Sequence, residues 1–181
     1  MNGNENFENI DRRLDDLRQE ILGVTTQLRD LIGELRPPGL EEFGLGSALE
    51  GFVHKVQRQA GRSGPQIELS IETNGAQIPE AVGICLFRLS QEALRNILKH
   101  AGAQHVQLHL YGSEGEVRLE IVDDGCGFTV PNRLSELTKM NHFGLVGMAE
   151  RVDWANGQLQ IFSQPGLGTQ ILVQIPLTED R

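Results

Sequence analysis

Positive charge is scarce in this 181-residue chain: 16 Lys and Arg stand against 25 Asp and Glu, a formal net charge of −9. Nucleic-acid surfaces need clustered Lys and Arg to displace phosphate counterions, so this balance argues against such a partner. Any phosphate bound here must be held locally. Cysteine is equally sparse. Cys85 and Cys126 are too few for a disulfide framework and lack metal-ligand spacing, which points to reduced thiols, one for packing and one in a loop. Long apolar runs are missing too. The longest, "AVGICLF" at 81–87, falls far short of the ~18 residues of a membrane span, and no signal-peptide series is present. The expectation is a cytoplasmic chain, leaving room for a membrane anchor in a larger parent. Aromatic residues make up only 5%, with one Trp and one Tyr, yet 39% hydrophobic and 23% charged residues describe an ordinary folded chain. Its length suits one domain of about 100 to 150 residues plus an appendage.

The appendage is at the N-terminus. Phe7, Ile10, Leu14, Leu17, Ile21, Val24, Leu28, Leu31 and Leu35 alternate intervals of three and four, a heptad seam, while Asp11, Arg12, Asp15, Asp16 and Arg18 fall off it. Gly23 and Gly33 each weaken an isolated helix by about 1 kcal/mol relative to Ala. A helix over 6–36 therefore needs partners, and an exposed stripe of this kind favours self-association. Pro37 and Pro38 stop it, since neither can continue the hydrogen-bond ladder.

Beyond a linker at 37–46, the pattern predicts a domain over 47–178. Ser47 is placed to cap a helix through "ALEGFVHKVQRQA". "QIELSIE" alternates as a half-buried strand, Pro79 opens a long helix, and "HVQLHLYG" and "EVRLEIVDDG" form a hairpin through "GSEG". From Gly125 to Phe143 periodicity is lost over a stretch long enough to be a functional loop. "GLVGMAERVDWAN" is helical again, with Trp154 expected to pack partly against the sheet, and "GQLQIFSQPGLGTQILVQIPL" gives two strands around a glycine turn. Strands outnumber what parallel crossovers provide. The fold class is α/β: a two-layer α/β sandwich, a mixed sheet with helices on one face, preceded by a long bundle-forming helix.

Four stretches carry candidate chemistry. In "RLSQEALRNILKHA" (88–101), Arg88, Glu92, Asn96 and His100 recur every four positions with Lys99 beside them. Val82, Cys85, Leu86, Leu89, Ala93 and Ile97 already make a sufficient buried face, so the polar stripe is not needed for packing. A solvated face would carry the same residues, although Asn96 is a poor helix-interior choice. In "VDDGCGF", Gly125 and Gly127 permit a sharp turn and close approach of a flat ligand, and Asp123 can accept from an exocyclic amine; a plain turn reads the same. Gly144 and Gly147 flank a helix start in "HFGLVGM", where free N–H groups favour phosphate, though glycine before a helix is common. "PGLGTQI" sets the hydroxyl of Thr169 at a tight turn, which is also what any hairpin does.

Together, in this order, the four stretches resemble the catalytic ATP-binding domain of two-component sensor histidine kinases, within the gyrase, heat-shock chaperone, histidine kinase and MutL ATPase superfamily. "QEALRNILKHA" is similar to the N box, and "DDGCGF", "GLVGM" and "GLGT" to the three glycine boxes. "LRDLIGELRPPGLEEFGLGSAL" is similar to the end of the second dimerisation helix and linker of the NarX, DesK and LiaS type. The resemblance implies a Bergerat-type ATP-binding fold that takes ATP and Mg²⁺. It implies that Asn96 ligates the Mg²⁺, that Lys99 and His100 lie near the phosphates, and that Glu92 is the catalytic acidic residue, a base or orienting group. Asp123 would accept from the adenine amino group with Thr169 supporting the contact through water, Gly125 and Gly127 would let the ring lie close, and Gly144, Leu145 and Gly147 would end the ATP lid. The implied reaction is transfer of the γ-phosphoryl of Mg-ATP to a histidine on the dimerisation helix, for relay to an aspartate of a response regulator, in a homodimeric parent.

This sequence departs from that pattern. None of His54, His100, His105, His109 and His142 precedes an acidic residue, so the usual phosphoacceptor motif is absent. His105 and His109 read as surface residues of a strand without a role. The expectation is a piece cut from a longer kinase, lacking the first dimerisation helix and unable to phosphorylate itself by the usual route. Asn141 stands where relatives often carry Gly before the lid's end. The rival expectations are an anti-sigma-type serine kinase and a non-catalytic nucleotide-binding or dimerisation scaffold; the heptad helix argues against the first, and the intact motifs against the second.

Overall fold

The computed structural model describes residues 39–130 and 143–177. The compact unit begins at Gly39. The expected bundle helix over 6–36 and the loop residues 131–142, with Asn141 and His142, lie outside the described residues.

Alternation of apolar and polar residues builds the sheet. Strands β1 (Gln66–Glu72), β2 (His105–Gly112), β3 (Glu116–Asp123), β4 (Gln158–Ser163) and β5 (Thr169–Pro176) pair in the order β1-β2-β3-β5-β4. β1 and β2 run parallel, because a helical crossover joins them; every other pair is antiparallel. Register puts Leu108, Ile121 and Ile171 in one lateral row and Leu110, Leu119 and Val173 in the next, all buried. Their neighbours Gln107, His109 and Arg118 face the other way and are exposed.

Helices α1 (Leu40–Ala60), α2 (Glu80–Asn96) and α3 (Phe143–Trp154) cover the buried face, α1 against β1, α2 against β3 and α3 against β4, with α2 between the other two. The expected two-layer mixed sandwich is what forms. Leu86 and Leu89 of α2, Leu49 of α1 and Met148 of α3 are fully buried, each such side chain contributing about 1.5–3 kcal/mol. Among the described residues no helix is long and apolar enough to cross a membrane.

Three features differ from the sequence reading. The first helix starts at Leu40, inside the expected linker, and not after Ser47; it is two helical segments broken at Gly44, whose φ of 77° and ψ of 175° leave the helical region. Leu40 and Leu45 flank that break and both enter the core, which is why the linker folds. Trp154 is 88% exposed instead of packed on the sheet, because Met148 and Val152 already fill the inward positions of α3. Finally, α2 does not continue evenly to His100: a five-residue π turn, Ile97–Ala101, follows Asn96 and ends at Gly102 in the left-handed region. Such turns widen the helix locally and concentrate at functional sites.

Candidate functional site

At the C-terminal end of β3 the inward row changes from aliphatic to polar. Asp123 pairs laterally with Val106 on one side and Thr169 on the other, and only 5% of it is exposed. Burial pushes its carboxyl pKa up, opposed by hydrogen bonds from the Gly125 backbone and from the backbone and hydroxyl of Thr169, with Asp124 adding to the upward push. The Gly125 N–H reaches Oδ1 at 2.8 Å. A buried acceptor fixed by so many donors is set to meet one more.

Asp124 has the opposite environment. At the surface, it accepts at Oδ1 from the backbone N–H groups of Gln104 (2.7 Å) and His105 (2.9 Å), while Oδ2 meets His105 Nδ1 at 2.8 Å. The His105 backbone and ring, followed by Gln104, hold its pKa down to about 2. This carboxylate ties the segment after the π turn to the end of β3. His105, read from sequence as a surface residue without a role, is exposed, but it is the partner in that tie.

Between these elements lies a cavity of about 630 Å³, within the usual range for a small-molecule site. Glu92 and Asn96 on α2 and Lys99 and His100 on the π turn form one wall; Asp123 and Thr169 lie at the strand ends, with Ile121 and Ile171 beside them. Gly127 and Phe128 bound one side, Gly144 and Leu145 another. The polar face of α2 thus lines an open-sided cavity and is not simply a solvated stripe. Glu92 is ion-paired with Arg95, and a Cβ at Gly144 would run into Glu92 Oε1, so the first turn of α3 sits directly against this carboxylate.

Two of the singled-out glycines stand behind the lining. Gly125 is buried, and a Cβ there would come within 2.6 Å of both the Cβ and the carbonyl oxygen of Ala101. Its smallness lets β3 approach the π turn. The Gly147 carbonyl accepts from Arg151 Nη1 at 2.9 Å. Gly127 has φ +57° and backs onto the Gln164 and Gly168 carbonyls, leaving no room for a side chain.

Sequence reading missed Gly168, Asp124 and Ser163. Gly168 has φ +74°, and a Cβ there would fall on the Asp123 carbonyl oxygen; it lies within "GLGT", so the motif itself held that signal. Asp124 stood in "DDG" beside the residue singled out. Ser163 Oγ accepts from the Phe128 N–H at 2.9 Å, donates to the Gly168 carbonyl at 2.8 Å and lies 3.0 Å from Thr169 Oγ1. A serine at a strand end gives no hint of this.

A family model described as "Histidine kinase-, DNA gyrase B-, and HSP90-like ATPase" matches residues 81–179. The chain belongs to this ATPase family. The matched span holds all four motifs, and membership implies ATP binding. The signal transduction histidine-protein kinase/phosphatase DegS of Brevibacillus brevis is 35% identical over 169 residues, covering 93% of this chain and 42% of that protein. DegS of Bacillus subtilis (strain 168) is 32% identical over 167 residues, 92% of this chain and 43% of its own. The sensor protein VraS of Staphylococcus aureus (strain COL) is 28% identical over 171 residues, 94% and 46%. The chain spans less than half the length of these curated relatives. Among solved structures, the histidine kinase domain of the blue-light activated kinase of Erythrobacter litoralis EL346 superposes with a TM-score of 0.57 at 24% identity, covering 74% of this chain and 61% of that one. At that identity the likeness is one of fold.

Proposed function

We propose that this ATPase is the catalytic domain of a cytoplasmic sensor histidine kinase region, transferring the γ-phosphoryl of Mg-ATP to a histidine on a dimerisation helix for relay to a response-regulator aspartate. On this reading residues 6–36 are its second dimerisation helix, the catalytic domain begins at Gly39, with most of the expected connection over 37–46 folded into α1, and the parent is a homodimer. The observation that carries the reading is Asp123: a buried carboxylate, fixed by Gly125 and Thr169, facing a cavity whose opposite wall is Asn96, Lys99 and His100. An amine-bearing ring at one end and a polyphosphate at the other fit that polarity.

The residues suit Mg²⁺ in a specific way. Among the described residues no cluster of three or more His, Cys, Asp or Glu could hold a metal, but Mg²⁺ binds commonly through one or two protein oxygens plus phosphates and water. Asn96, half-buried on the cavity wall, offers that oxygen. Bound there, Mg²⁺ would neutralise phosphate charge and align the chain for in-line transfer. Lys99 and His100 add donors to the phosphate end. Glu92, held by Arg95 beside Gly144, orients the incoming imidazole or accepts its proton. Gly144 and Leu145, in the first described turn of α3, stand at the cavity edge, where backbone N–H groups would meet phosphate. Catalysis on this plan is positioning and charge neutralisation.

Calorimetric titration of ATP with and without Mg²⁺ tests the reading. Asp123→Asn should abolish one-site binding and Asn96→Ala should remove its Mg²⁺ dependence. Radiolabelled ATP with a separately supplied first dimerisation helix should then give acid-labile, base-stable phosphate on that helix. A folded wild type that binds no ATP refutes the nucleotide assignment; binding without transfer refutes the kinase assignment.

A further inference from the structure

Asp123, Thr169 and Ser163 are consecutive lateral neighbours across β3, β5 and β4 in one register row. Resting on the adenine-site reading above, we propose that Ser163, outside all four motifs, is the positioning residue that sets the base selectivity of the cavity, by fixing the direction of a hydroxyl chain that ends on Asp123.

The argument is one of hydrogen counting. Ser163 and Thr169 carry one hydroxyl hydrogen each. The acceptors within reach are the Gly168 carbonyl, the other hydroxyl and the Asp123 carboxylate. A carboxylate is the strongest acceptor of the three, so the Thr169 hydrogen goes to Asp123. With its hydrogen on Asp123, Thr169 Oγ1 can only accept in its 3.0 Å contact with Ser163, whose oxygen also receives the Phe128 N–H at 2.9 Å. The chain runs from the Phe128 N–H through Ser163 and Thr169 to Asp123, and Ser163 shares its hydrogen between Thr169 and the Gly168 carbonyl. Hydrogen bonds in such series reinforce one another.

The consequence falls on the base. With Gly125 N–H, Thr169 N–H and Thr169 O–H all donating to it, Asp123 is held as a pure acceptor. A 6-amino purine presents a donor and is accepted. A 6-oxo purine presents a carbonyl oxygen to a carboxylate and is rejected, because two buried acceptors then face each other. Without Ser163, Thr169 loses its incoming donor and is free to turn, so the carboxylate is less firmly committed.

The test compares ATP with inosine triphosphate, which differ at the 6-position, by calorimetry on the full chain. Ser163→Ala should weaken ATP binding by about three- to tenfold, as for one lost hydrogen bond, and leave inosine triphosphate nearly unchanged, so the affinity ratio falls. Ser163→Thr, which keeps the hydroxyl, should restore the ratio. Thr169→Val breaks the next link and should lower the ratio similarly, and adding Ser163→Ala to it should produce no further fall, since coupled residues are non-additive. Equal weakening of both nucleotides by Ser163→Ala, or independent effects of the two substitutions, would overturn the inference while Asp123→Asn still abolished ATP binding. A wild type without preference between the two triphosphates would overturn the inference together with the adenine assignment beneath it.

Discussion

Gly168→Ala, set beside Gly166→Ala, measures how tightly the third glycine motif is built onto the end of β3. Both glycines sit in one turn with positive φ, +84° at Gly166 and +74° at Gly168. An alanine forced into that region costs about 1–2 kcal/mol. At Gly166 nothing lies within 4 Å of the new Cβ, so backbone strain is the whole effect. At Gly168 the Cβ would fall on the carbonyl of Asp123, well inside the 3.0 Å that real Cβ atoms keep. Its neighbour there is backbone held in the β3–β5 ladder, not the free end of a side chain, and overpacking of that kind adds about 1–3 kcal/mol. The sum for Gly168→Ala is about 3 kcal/mol against about 1 for Gly166→Ala. For a domain of this size that translates into a drop in Tm of roughly 10 °C against roughly 4 °C. Urea unfolding and thermal melts of the three proteins provide the comparison. Gly168→Ala should also lose ATP affinity, since relief of the overlap moves Asp123; Gly166→Ala should bind normally. Equal destabilisation by the two substitutions would refute the reasoning, because it would mean the turn lifts off β3 without cost.

The two thiols should separate in reactivity. Cys85 is buried, its thiol donates to the Arg151 carbonyl at 3.4 Å, and burial, partly offset by Arg151, pushes its pKa to about 11; Cys126 is exposed and lines the cavity. A chromogenic disulfide at pH 8 should label Cys126 rapidly and Cys85 only as the domain opens, with ATP slowing the first reaction; one common rate would contradict the placement. Acid should act through Asp124 in a defined window. Its native pKa is depressed to about 2, so the unfolded chain takes the proton first and stability falls as pH drops from the ordinary aspartate range towards 2. Asp123 has the opposite sign, its raised pKa making the native state the better proton acceptor, so it offsets part of that fall. Asp124→Asn should therefore be less stable at neutral pH yet flatter across the acid window, and parallel urea-midpoint profiles for mutant and wild type would refute the assignment.

Elements whose period is clean were legible from sequence. "QIELSIE" is β1 to the residue, and "HVQLHLYG" is β2, because strict alternation on a sheet buried on one face admits only one register. The buried face of α2 was equally plain. Features that depend on distant chain were not. Leu40 and Leu45 belong to one helical element only because Gly44 takes a non-helical conformation between them, which breaks the 3.6-residue period that reading relies on. Trp154 illustrates the reverse error: a large aromatic at the end of a helix invites burial, but its position past Val152 points it to solvent. In the site, residue types with strong chemical identity, such as Asp123 and Asn96, stood out. Ser163 did not, since its three contacts come from Phe128, Gly168 and Thr169, and the first lies across the fold.

The π turn explains how the polar wall departs from a simple stripe. A regular α2 running to His100 would keep Glu92, Asn96 and His100 stacked one above another, with one face serving one row of ligand atoms. Widening at Ile97–Ala101 lets Ile97 remain buried while Lys99 and His100 are exposed at the cavity wall. The same turn brings the Ala101 carbonyl to the Cys126 N–H at 2.8 Å and the His100 carbonyl to the Cys126 thiol at 3.4 Å. The helix wall of the cavity and the end of β3 are thus joined through backbone, with Asp124 fastening Gln104 and His105, just past the turn, to the same strand end. Lys99 and His100, carried on that joint, are positioned by the same segment that follows Asp123. On the proposed reading a chain of net charge −9 would receive a polyanion through groups at the cavity itself, Lys99 and His100 on its wall and a metal ion held with the phosphates, because the charge of the distant surface is screened.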